Sequence, residues 1–205
     1  HGNVGFAAAS NLGCYRATGT MLLMLNPDCV VPEDTAELLV ETLKQLPPHS
    51  MVGADIRNID GTPQRGSRRE LPTPWLAFIE LFRIYRLAPS HPYFTRLNRH
   101  QDAVPATTVP VPAISGAFMA FFKSDFCSIG GFDDGFFLHV EDLDFCLRWQ
   151  TAGNLTWFTP DIRVLHHKST SAASANFVEW HKTAGLYRYF TGHFRSYYPR
   201  GFMQL

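Results

Sequence analysis

Helix and strand signals alternate through the first 58 residues, and this alternation restricts the fold more than any other feature. Segment 3–19 is rich in Ala and predicts a helix, and the apolar run TMLLMLN after it is typical of a strand buried on both faces. Segment 31–48 carries Pro and acids in its first turn and predicts a second helix, followed by the strand MVGADIRN. This order favours an α/β fold with a largely parallel sheet.

The remaining elements are less regular. PWLAFIELFRIYRL has the pattern of an amphipathic helix, and a long loop rich in Pro and His follows it. Further on, the patterns predict a strand over 111–123, a helix from 141 to about 152, two short strands at 155–160 and 162–168, and an amphipathic helix over 175–194.

Composition narrows the class of protein. At 205 residues and 45% hydrophobic content the chain is globular and of single-domain size. Lys+Arg and Asp+Glu both total 18, so no net positive field favours nucleic acid. The four cysteines lack CxxC spacing and are interpreted as buried free thiols of a reducing compartment, with disulfides left open. The chain begins with His1 and no leader pattern, so we expect it to be cut from a longer protein.

The stretch LHVEDLDFCLRW places three acids among apolar residues, where an uncompensated carboxylate is costly. Asp144 and Arg148 are spaced to pair on an exposed helix face. Glu141 and Asp142 follow a Gly-hinged aromatic segment, where desolvation would raise the pKa of a carboxyl and make it a usable general base. Favourable interaction of acids with the helix dipole explains the pair equally well.

A second polar group follows the first predicted strand. In LNPD, Asn26 and Asp28 would project from the carboxyl end of the strand, where open α/β sheets bind ligands. Their oxygens suit Mg²⁺ or Mn²⁺. The alternative is an ordinary turn in which both side chains bond their own backbone.

Two basic segments are further candidates. In VLHHKSTS the adjacent histidines point to opposite faces of a strand, so either His166 or His167 could bind a metal or a phosphate, and segment 168–171 could add phosphate donors or be a polar loop. Arg65, Arg68 and Arg69 suit diphosphate recognition, although a solvated loop is the simpler interpretation.

Three blocks in this order resemble the successive motifs of family 2 glycosyltransferases, with the rhamnosyltransferase-like branch most similar. They are NVGFAAASNLGCYRATGTMLLMLNPD, ISGAFMAFFKSDFCSIGGFDDGFFLHVEDLDFCLRW and VLHHKSTS. The resemblance implies a GT-A-like α/β fold, a mixed and mostly parallel sheet flanked by helices, that lacks the first nucleotide-gripping strands. It also implies a catalytic domain over 1–172 and a helical tail over 173–205 that packs on it.

The resemblance assigns roles to individual residues. Asn26-Pro27-Asp28 matches a metal-binding Asp-x-Asp in which only Asp28 keeps its carboxylate, and His166, with His167 as competitor, matches a histidine near the metal and diphosphate. Glu141-Asp142 matches a Glu-Asp pair whose base is Asp142, with Glu141 orienting the base or the acceptor. Arg148 is expected on the cofactor-binding side together with Asn26, Asp28 and His166.

The implied reaction is an inverting transfer that depends on Mg²⁺ or Mn²⁺. The donor would be a nucleoside-diphosphate sugar, dTDP-rhamnose or a UDP-sugar, and the acceptor a glycan or lipid-linked saccharide in cell-surface polysaccharide synthesis. The expected location is the cytoplasm or the inner face of the plasma membrane. The aromatic tail leaves open a peripheral membrane contact, and self-association is also left open.

Two other functions compete. A non-catalytic sugar-binding or scaffold domain is favoured by Asn26 and by the missing strands. A metal-dependent hydrolase would use Asp28, Glu141, Asp142 and His166 as ligands to activate water, and predicts two or more carboxylates around the ion.

Overall fold

The computed structural model describes residues 2–87, 91–167 and 174–198. The helices are α1 (Phe6–Arg16), α2 (Thr35–Gln45), α3 (Pro74–Leu81), α4 (Lys123–Ser128), α5 (Glu141–Thr151) and α6 (Ala175–Phe194). The strands are β1 (Met21–Leu25), β2 (Cys29–Val30), β3 (Ser50–Arg57), β4 (Arg68–Arg69), β5 (Val109–Pro110), β6 (Ala113–Ile114), β7 (Phe118–Phe122) and β8 (Leu155–His166). None of the described helices has the length and apolar content needed to span a membrane.

The main sheet has the order β1-β7-β3-β8-β2, with β5 added to β8. β3 and β8 pair in parallel, and β7 lies antiparallel between β1 and β3, so that β1, β3 and β8 all run in one direction. The shorter β2 and β5 join β8 antiparallel. The expected α/β fold with a mixed sheet and flanking helices is confirmed.

Helices cover both faces of this sheet, because successive side chains of its central strand, β3, point into two different hydrophobic cores. Met51 of β3 belongs to the larger core, in which rings of α4 and α5 pack against Phe121 of β7. Val52 points to the opposite face, where it joins the core formed under Leu39 and Leu43 of α2. β1 is not buried on both faces as predicted: Leu23 and Leu25 are exposed, because this strand lies at the edge of the described sheet.

Two strands differ from the sequence-based prediction. The region predicted as two short strands after residue 154 is one strand, β8, whose pairing with β3 shifts between Ala54 and Asp55. Pro160 lies in this irregularity, and its lack of an N–H group explains the interrupted ladder. The single strand predicted over 111–123 is instead broken at 115–117, with β6 in a separate two-stranded sheet with β4 and β7 in the main sheet.

Helix α6 has the bounds that the sequence predicts, and it packs on the larger core. Tyr189 is fully buried there, and the His193 imidazole lies 2.7 Å from the Asp144 carboxylate of α5. Arg188 pairs with Asp133 at 2.8 Å. Trp180 remains exposed on the outer side.

The four cysteines are free thiols, as interpreted from their spacing. Cys14 and Cys146 are buried, but Cys127 is exposed, so burial does not hold for all four.

Candidate active site

A histidine and a carboxylate meet where β2 pairs with the end of β8. This pairing places Cys29 opposite His166 and so brings the preceding turn, with Asp28, against the imidazole. His166 Nε2 lies 3.0 Å from Asp28 Oδ1, and both side chains are largely shielded from solvent. The Cys29 thiol lies within 4.8 Å of these two ligand atoms.

This geometry fits a hard divalent cation. Two ligands bound at about 2.1 Å and at right angles to an octahedral ion lie about 3.0 Å apart, which is the separation of the Asp28 and His166 atoms. Burial and the Asp28 charge raise the pKa of the Cys29 thiol to about 11, so in the absence of a cation this thiol keeps its proton at neutral pH. Asn26 Oδ1 is buried and has no hydrogen-bond partner among the described residues, which leaves an amide oxygen in the same turn for a cation or ligand.

A chain of hydrogen bonds sets which nitrogen of His166 faces Asp28. The Asp60 carboxylate accepts from the Thr62 hydroxyl (2.6 Å), which accepts from the Asn58 amide (2.9 Å). Asn58 Oδ1 in turn accepts from Gln64 Nε2 (3.1 Å), so Gln64 Oε1 is left to accept from His166 Nδ1 (2.7 Å). Because the chain begins at an acceptor-only carboxylate, the donor of each later hydrogen bond is fixed. The proton donated to Gln64 therefore lies on His166 Nδ1, and His166 Nε2 faces Asp28.

Gln64 is therefore a site residue that sequence reasoning missed. It is almost completely buried and lies 102 positions from His166 along the chain. Its place in a polar loop carries no spacing or motif that would single it out.

The two adjacent histidines have different positions, as strand geometry requires. His166 meets Asp28, whereas the His167 backbone N–H donates to the Asp28 carbonyl (2.9 Å). His167 also lines a cavity of about 390 Å³ together with 27–30. The possible phosphate donors of segment 168–171 lie outside the described residues.

Asp142 lies in the first turn of α5 and is held from three sides. Its Oδ2 accepts from the Gly116 N–H (3.0 Å) and forms an ion pair with Arg69, and its Oδ1 accepts from the Leu143 N–H (2.8 Å). A Cβ on Gly116 would lie 3.1 Å from the Asp142 Cβ, so the close approach depends on glycine.

Glu141 differs sharply from its neighbour. It is buried, its Oε2 has no hydrogen-bond partner among the described residues, and burial, reinforced by the Asp142 charge, raises its pKa to about 8. The turn before it contains His139 and Val140 with φ of 67° and 72°, the left-handed region that such residues rarely adopt. Gly185 of α6 packs against Val140 and helps hold this strained turn.

The segment between β6 and β7, residues 115–117, contacts both the turn that carries Asp28 and the carboxylate of Asp142. The Ala117 carbonyl accepts from the Asn26 N–H (3.0 Å) and from the Cys29 thiol (3.6 Å), while Gly116 donates to Asp142. Adjacent Cα atoms are about 3.8 Å apart, so the turn that carries Asp28 and the Asp142 carboxylate contact successive residues of one short segment.

Arg148 pairs with Asp144, but Asp144 is buried and Arg148 is partly buried, so this is not the exposed pair that their spacing suggested. Arg148 Nε donates to Asp144 (2.7 Å) and its Nη1 to the Ile129 carbonyl (3.0 Å), while His193 contacts the other Asp144 oxygen. The contacts of Arg148 thus tie α5 to its neighbours, and none of them is to Asp28, His166 or Asp142.

The arginine segment is also only partly a solvated loop. Arg68 is buried and donates to the backbone carbonyls of Arg99, Asp102 and Ala103, and Arg69 is mostly buried against Asp142. Arg65 alone of the three is well exposed. The solvated-loop interpretation was wrong for Arg68 and Arg69, because pairing of β4 with β6 draws both into the fold.

The α/β architecture of this chain also occurs in a solved structure of another protein. The chain is similar to the crystal structure of GalNAc-T7 with UDP, GalNAc and Mn²⁺, with a TM-score of 0.56 and 17% identity over 90% of this chain and 33% of that one. Residues 1–126 match the family model for glycosyl transferase family 2. The chain belongs to glycosyl transferase family 2.

Curated relatives agree with this assignment. The chain is 26% identical over 169 residues to N-acetylglucosaminyl-diphospho-decaprenol L-rhamnosyltransferase of Mycobacterium tuberculosis, which covers 81% of the chain and 54% of that protein. It is 39% identical over 69 residues to rhamnosyltransferase WbbL of Escherichia coli (33% of the chain, 26% of that protein). It is 30% identical over 152 residues to the low-salt glycan biosynthesis hexosyltransferase Agl10 of Haloferax volcanii (72% and 43%). The chain spans about half or less of the length of these relatives.

Proposed function

We propose that this chain carries the catalytic part of an inverting glycosyltransferase that moves a sugar from a nucleoside-diphosphate donor to a saccharide on a lipid-diphosphate carrier. The observation that carries the proposal is the segment 115–117, which contacts both the turn bearing Asp28 and the carboxylate of Asp142. Charge neutralisation at the leaving group and proton removal at the attacking group are the two tasks such a transfer requires.

Asp28 and His166 would hold the divalent ion, Mg²⁺ or Mn²⁺, with the amide oxygen of Asn26 available beside them. When bound, the ion supplies positive charge that stabilises the negative charge developing on the departing diphosphate. Asp28 anchors the turn to β8 through its backbone carbonyl, so its side chain can bind without rearrangement of the strand ends.

Asp142 would accept the proton of the acceptor hydroxyl as that oxygen attacks the anomeric carbon. Gly116 and Arg69 fix the direction of its carboxylate, which favours attack along a defined line. Glu141, with a pKa of about 8, keeps its proton at neutral pH and is suited to orienting groups, not to removing a proton.

Rhamnose is the proposed sugar, and a saccharide linked to a polyprenyl diphosphate the proposed acceptor. Two of the relatives described above are named as rhamnosyltransferases, and the name of the mycobacterial protein contains a diphospho-decaprenol acceptor. Four free thiols favour a reducing compartment, so we assign the reaction to the cytoplasm.

The hydrolase alternative receives less support. It requires several carboxylates around the ion, but among the described residues the one cluster suited to a metal contains a single carboxylate, Asp28, with Cys29 and His166. Asp142 is instead engaged by Arg69 and Gly116.

The test is a transfer assay of Asp142→Asn in the full-length protein, with a nucleoside-diphosphate rhamnose and a lipid-diphosphate saccharide. Loss of the base is expected to lower kcat by about 10²- to 10⁴-fold, while donor affinity measured by calorimetry stays nearly unchanged because Asp142 lies outside the cation cluster.

Asp34→Asn is the matched control, because Asp34 is exposed and makes no side-chain capping bond to α2. Comparable turnover by wild type and Asp142→Asn would show that Asp142 is not the base of the reaction. A wild-type protein that transfers no sugar from any nucleotide donor would favour the scaffold alternative.

A further inference from the structure

Aromatic rings of α6 and of the segment before α5 form a connected group. The imidazole of His181 stacks on the ring of Phe137 with centroids 4.6 Å apart, and Phe177 contacts these two rings edge-on, at 4.4 Å and 6.0 Å. The indole of Trp180 contacts His181 edge-on at 4.8 Å. We refer to Phe137, Phe177, Trp180 and His181 as the aromatic cluster.

The aromatic cluster is accessible from solvent. Trp180 is 66% exposed and Phe177 is 41% exposed, although burial of such large apolar side chains is favourable. Contacts with the other rings of the cluster keep both side chains at the surface. Single exposed apolar residues are common, but a connected and exposed aromatic group marks an interaction site.

The part of α6 that carries the cluster has no net charge. Apart from His181, residues 175–187 contain one acid, Glu179, and one base, Lys182, which pair at 3.4 Å. A helix that binds an anionic membrane surface is instead rich in Lys and Arg on its polar face. Aromatic rings without net charge suit an uncharged ligand that has an apolar face of its own.

The aromatic cluster adjoins the candidate base. Five positions separate Phe137 from Asp142, so their Cα atoms lie at most about 18 Å apart. The left-handed turn at His139 and Val140 makes the distance shorter than this limit. Helix α6 packs on the same turn, where a Cβ on Gly185 would lie 3.2 Å from the His139 carbonyl oxygen.

His139 lies close to both the cluster and the base. It keeps an exposed surface, yet partial burial lowers its pKa, and the charges of Asp142, Lys182 and Glu179 also act on its imidazole. An imidazole can donate or accept a hydrogen bond. The groups near this turn are therefore exposed aromatic rings, a polar ring nitrogen and the carboxylate of Asp142.

This combination matches the chemistry of a saccharide. A pyranose ring has a face of C–H groups that packs on aromatic rings, and hydroxyl groups at its edge that bond polar side chains. We propose that the aromatic cluster binds one sugar ring of the saccharide acceptor, so that the neighbouring ring presents its hydroxyl to Asp142 beside His139. The inference rests on the proposed function, from which it takes the acceptor, and it adds the residues that hold that acceptor.

The binding experiment is saturation-transfer NMR on the full-length protein, without donor or metal. The probes are cellobiose and N,N′-diacetylchitobiose, whose β-linked rings carry axial C–H groups on one face, and sorbitol, which has hydroxyls but no ring. Saturation of the aromatic protons of the protein is expected to reach the axial hydrogens of both disaccharides. Sorbitol should receive no saturation.

Trp180→Ala is the variant that tests the cluster, because Trp180 is exposed and its loss leaves the core intact. The affinity for the disaccharides should fall about 3- to 10-fold, as expected for the loss of one ring contact. Trp180→Phe keeps a ring and should retain most of the affinity. Tyr187→Ala is the matched control, since Tyr187 is an aromatic residue of the same helix that is 59% exposed and lies outside the cluster; it should bind as wild type.

A transfer assay links the cluster to the acceptor. In Trp180→Ala the KM for the lipid-linked saccharide should rise about 3- to 10-fold while kcat stays unchanged, because the ring contacts the acceptor equally in the ground state and in the transition state. Tyr187→Ala should change neither constant.

The proposal would be overturned by a wild type that binds neither disaccharide, or by undiminished disaccharide affinity or an unchanged acceptor KM in Trp180→Ala. Flotation with phosphatidylcholine vesicles supplies a further contrary outcome. Vesicle binding that Trp180→Ala abolishes, in a protein that binds no disaccharide, would assign the cluster to a membrane. Because the NMR measurement involves no transfer, its failure is distinct from a failure of the Asp142 test.

Discussion

At the scale of single residues, the candidate site depends on side chains that orient others. Gln64 accepts from His166 Nδ1 and thereby directs Nε2 toward Asp28. Arg69 and the Gly116 N–H do the same for the Asp142 carboxylate. Hydrogen-bond partners of this kind fix the direction of a ligand and raise its affinity for metal.

Gln64→Leu removes the acceptor for His166 Nδ1, so Mn²⁺ affinity measured by calorimetry is expected to fall about 10- to 100-fold. Gln64→Glu keeps an acceptor oxygen and should retain most of the affinity. The ¹⁵N shifts of the His166 ring at alkaline pH should report the Nδ1–H tautomer in wild type and its loss in Gln64→Leu.

Gln45→Leu, at the exposed end of α2, makes the same chemical change away from the site and should bind Mn²⁺ as wild type. A wild type that does not bind Mn²⁺ would argue against the metal site itself. Equal affinity in wild type and Gln64→Leu would argue only against the orienting role of Gln64.

At the scale of elements, the interruption between β6 and β7 is the feature that assembles the site. An unbroken strand over 111–123 would have continued the backbone hydrogen bonds of a single sheet. Residues 115–117 instead leave both sheets and contact the turn after β1 on one side and α5 on the other. Gly116 permits the approach of α5, because any larger side chain would meet Asp142.

Gly116→Ala would place a Cβ 3.1 Å from the Asp142 Cβ and push the carboxylate away. We expect kcat to fall about 10- to 100-fold, with a loss of about 1–3 kcal/mol in the free energy of unfolding. Transfer assays and urea denaturation measure the two effects.

Gly13→Ala is the matched substitution, since a Cβ at Gly13 in α1 meets no atom within 4 Å. It should leave kcat unchanged and stabilise the helix by about 0.5–1 kcal/mol. Full activity in Gly116→Ala would contradict the proposed dependence of Asp142 on this close contact.

At the scale of the whole molecule, burial of Glu141 couples stability to pH. The pKa of Glu141 is about 8 in the folded chain, against an ordinary value of 4.5. Between these values the unfolded chain has released the proton that the folded chain keeps. The free energy of unfolding therefore falls as pH rises through this window, by up to about 1.4 kcal/mol per pH unit.

Glu141→Gln removes this titration, so its melting temperature should rise relative to wild type as pH increases from 4.5 to 8. Thermal unfolding across this range measures the difference. Glu41→Gln, on the exposed side of α2, should follow the wild-type curve. Parallel curves for wild type and Glu141→Gln would show that Glu141 is not held protonated.

Local patterns in the sequence were sufficient for much of the fold. The sequence predicts α1 from its Ala-rich composition, α2 and α6 from their apolar spacing, and α5 from the acids at its start. The apolar runs predict β1 and β3, and all of these signals lie in neighbouring residues. The resemblance to family motifs likewise marks Asp28, Asp142 and the pair His166 and His167 as candidates without any coordinates.

Contacts between distant segments decided the rest. Four contacts join pairs 49 to 138 positions apart: Asp28 with His166, Gln64 with His166, Arg69 with Asp142, and Asp144 with His193. The spacing of neighbouring residues does not predict such pairs, because they form only when strand pairing and helix packing bring distant parts of the backbone together.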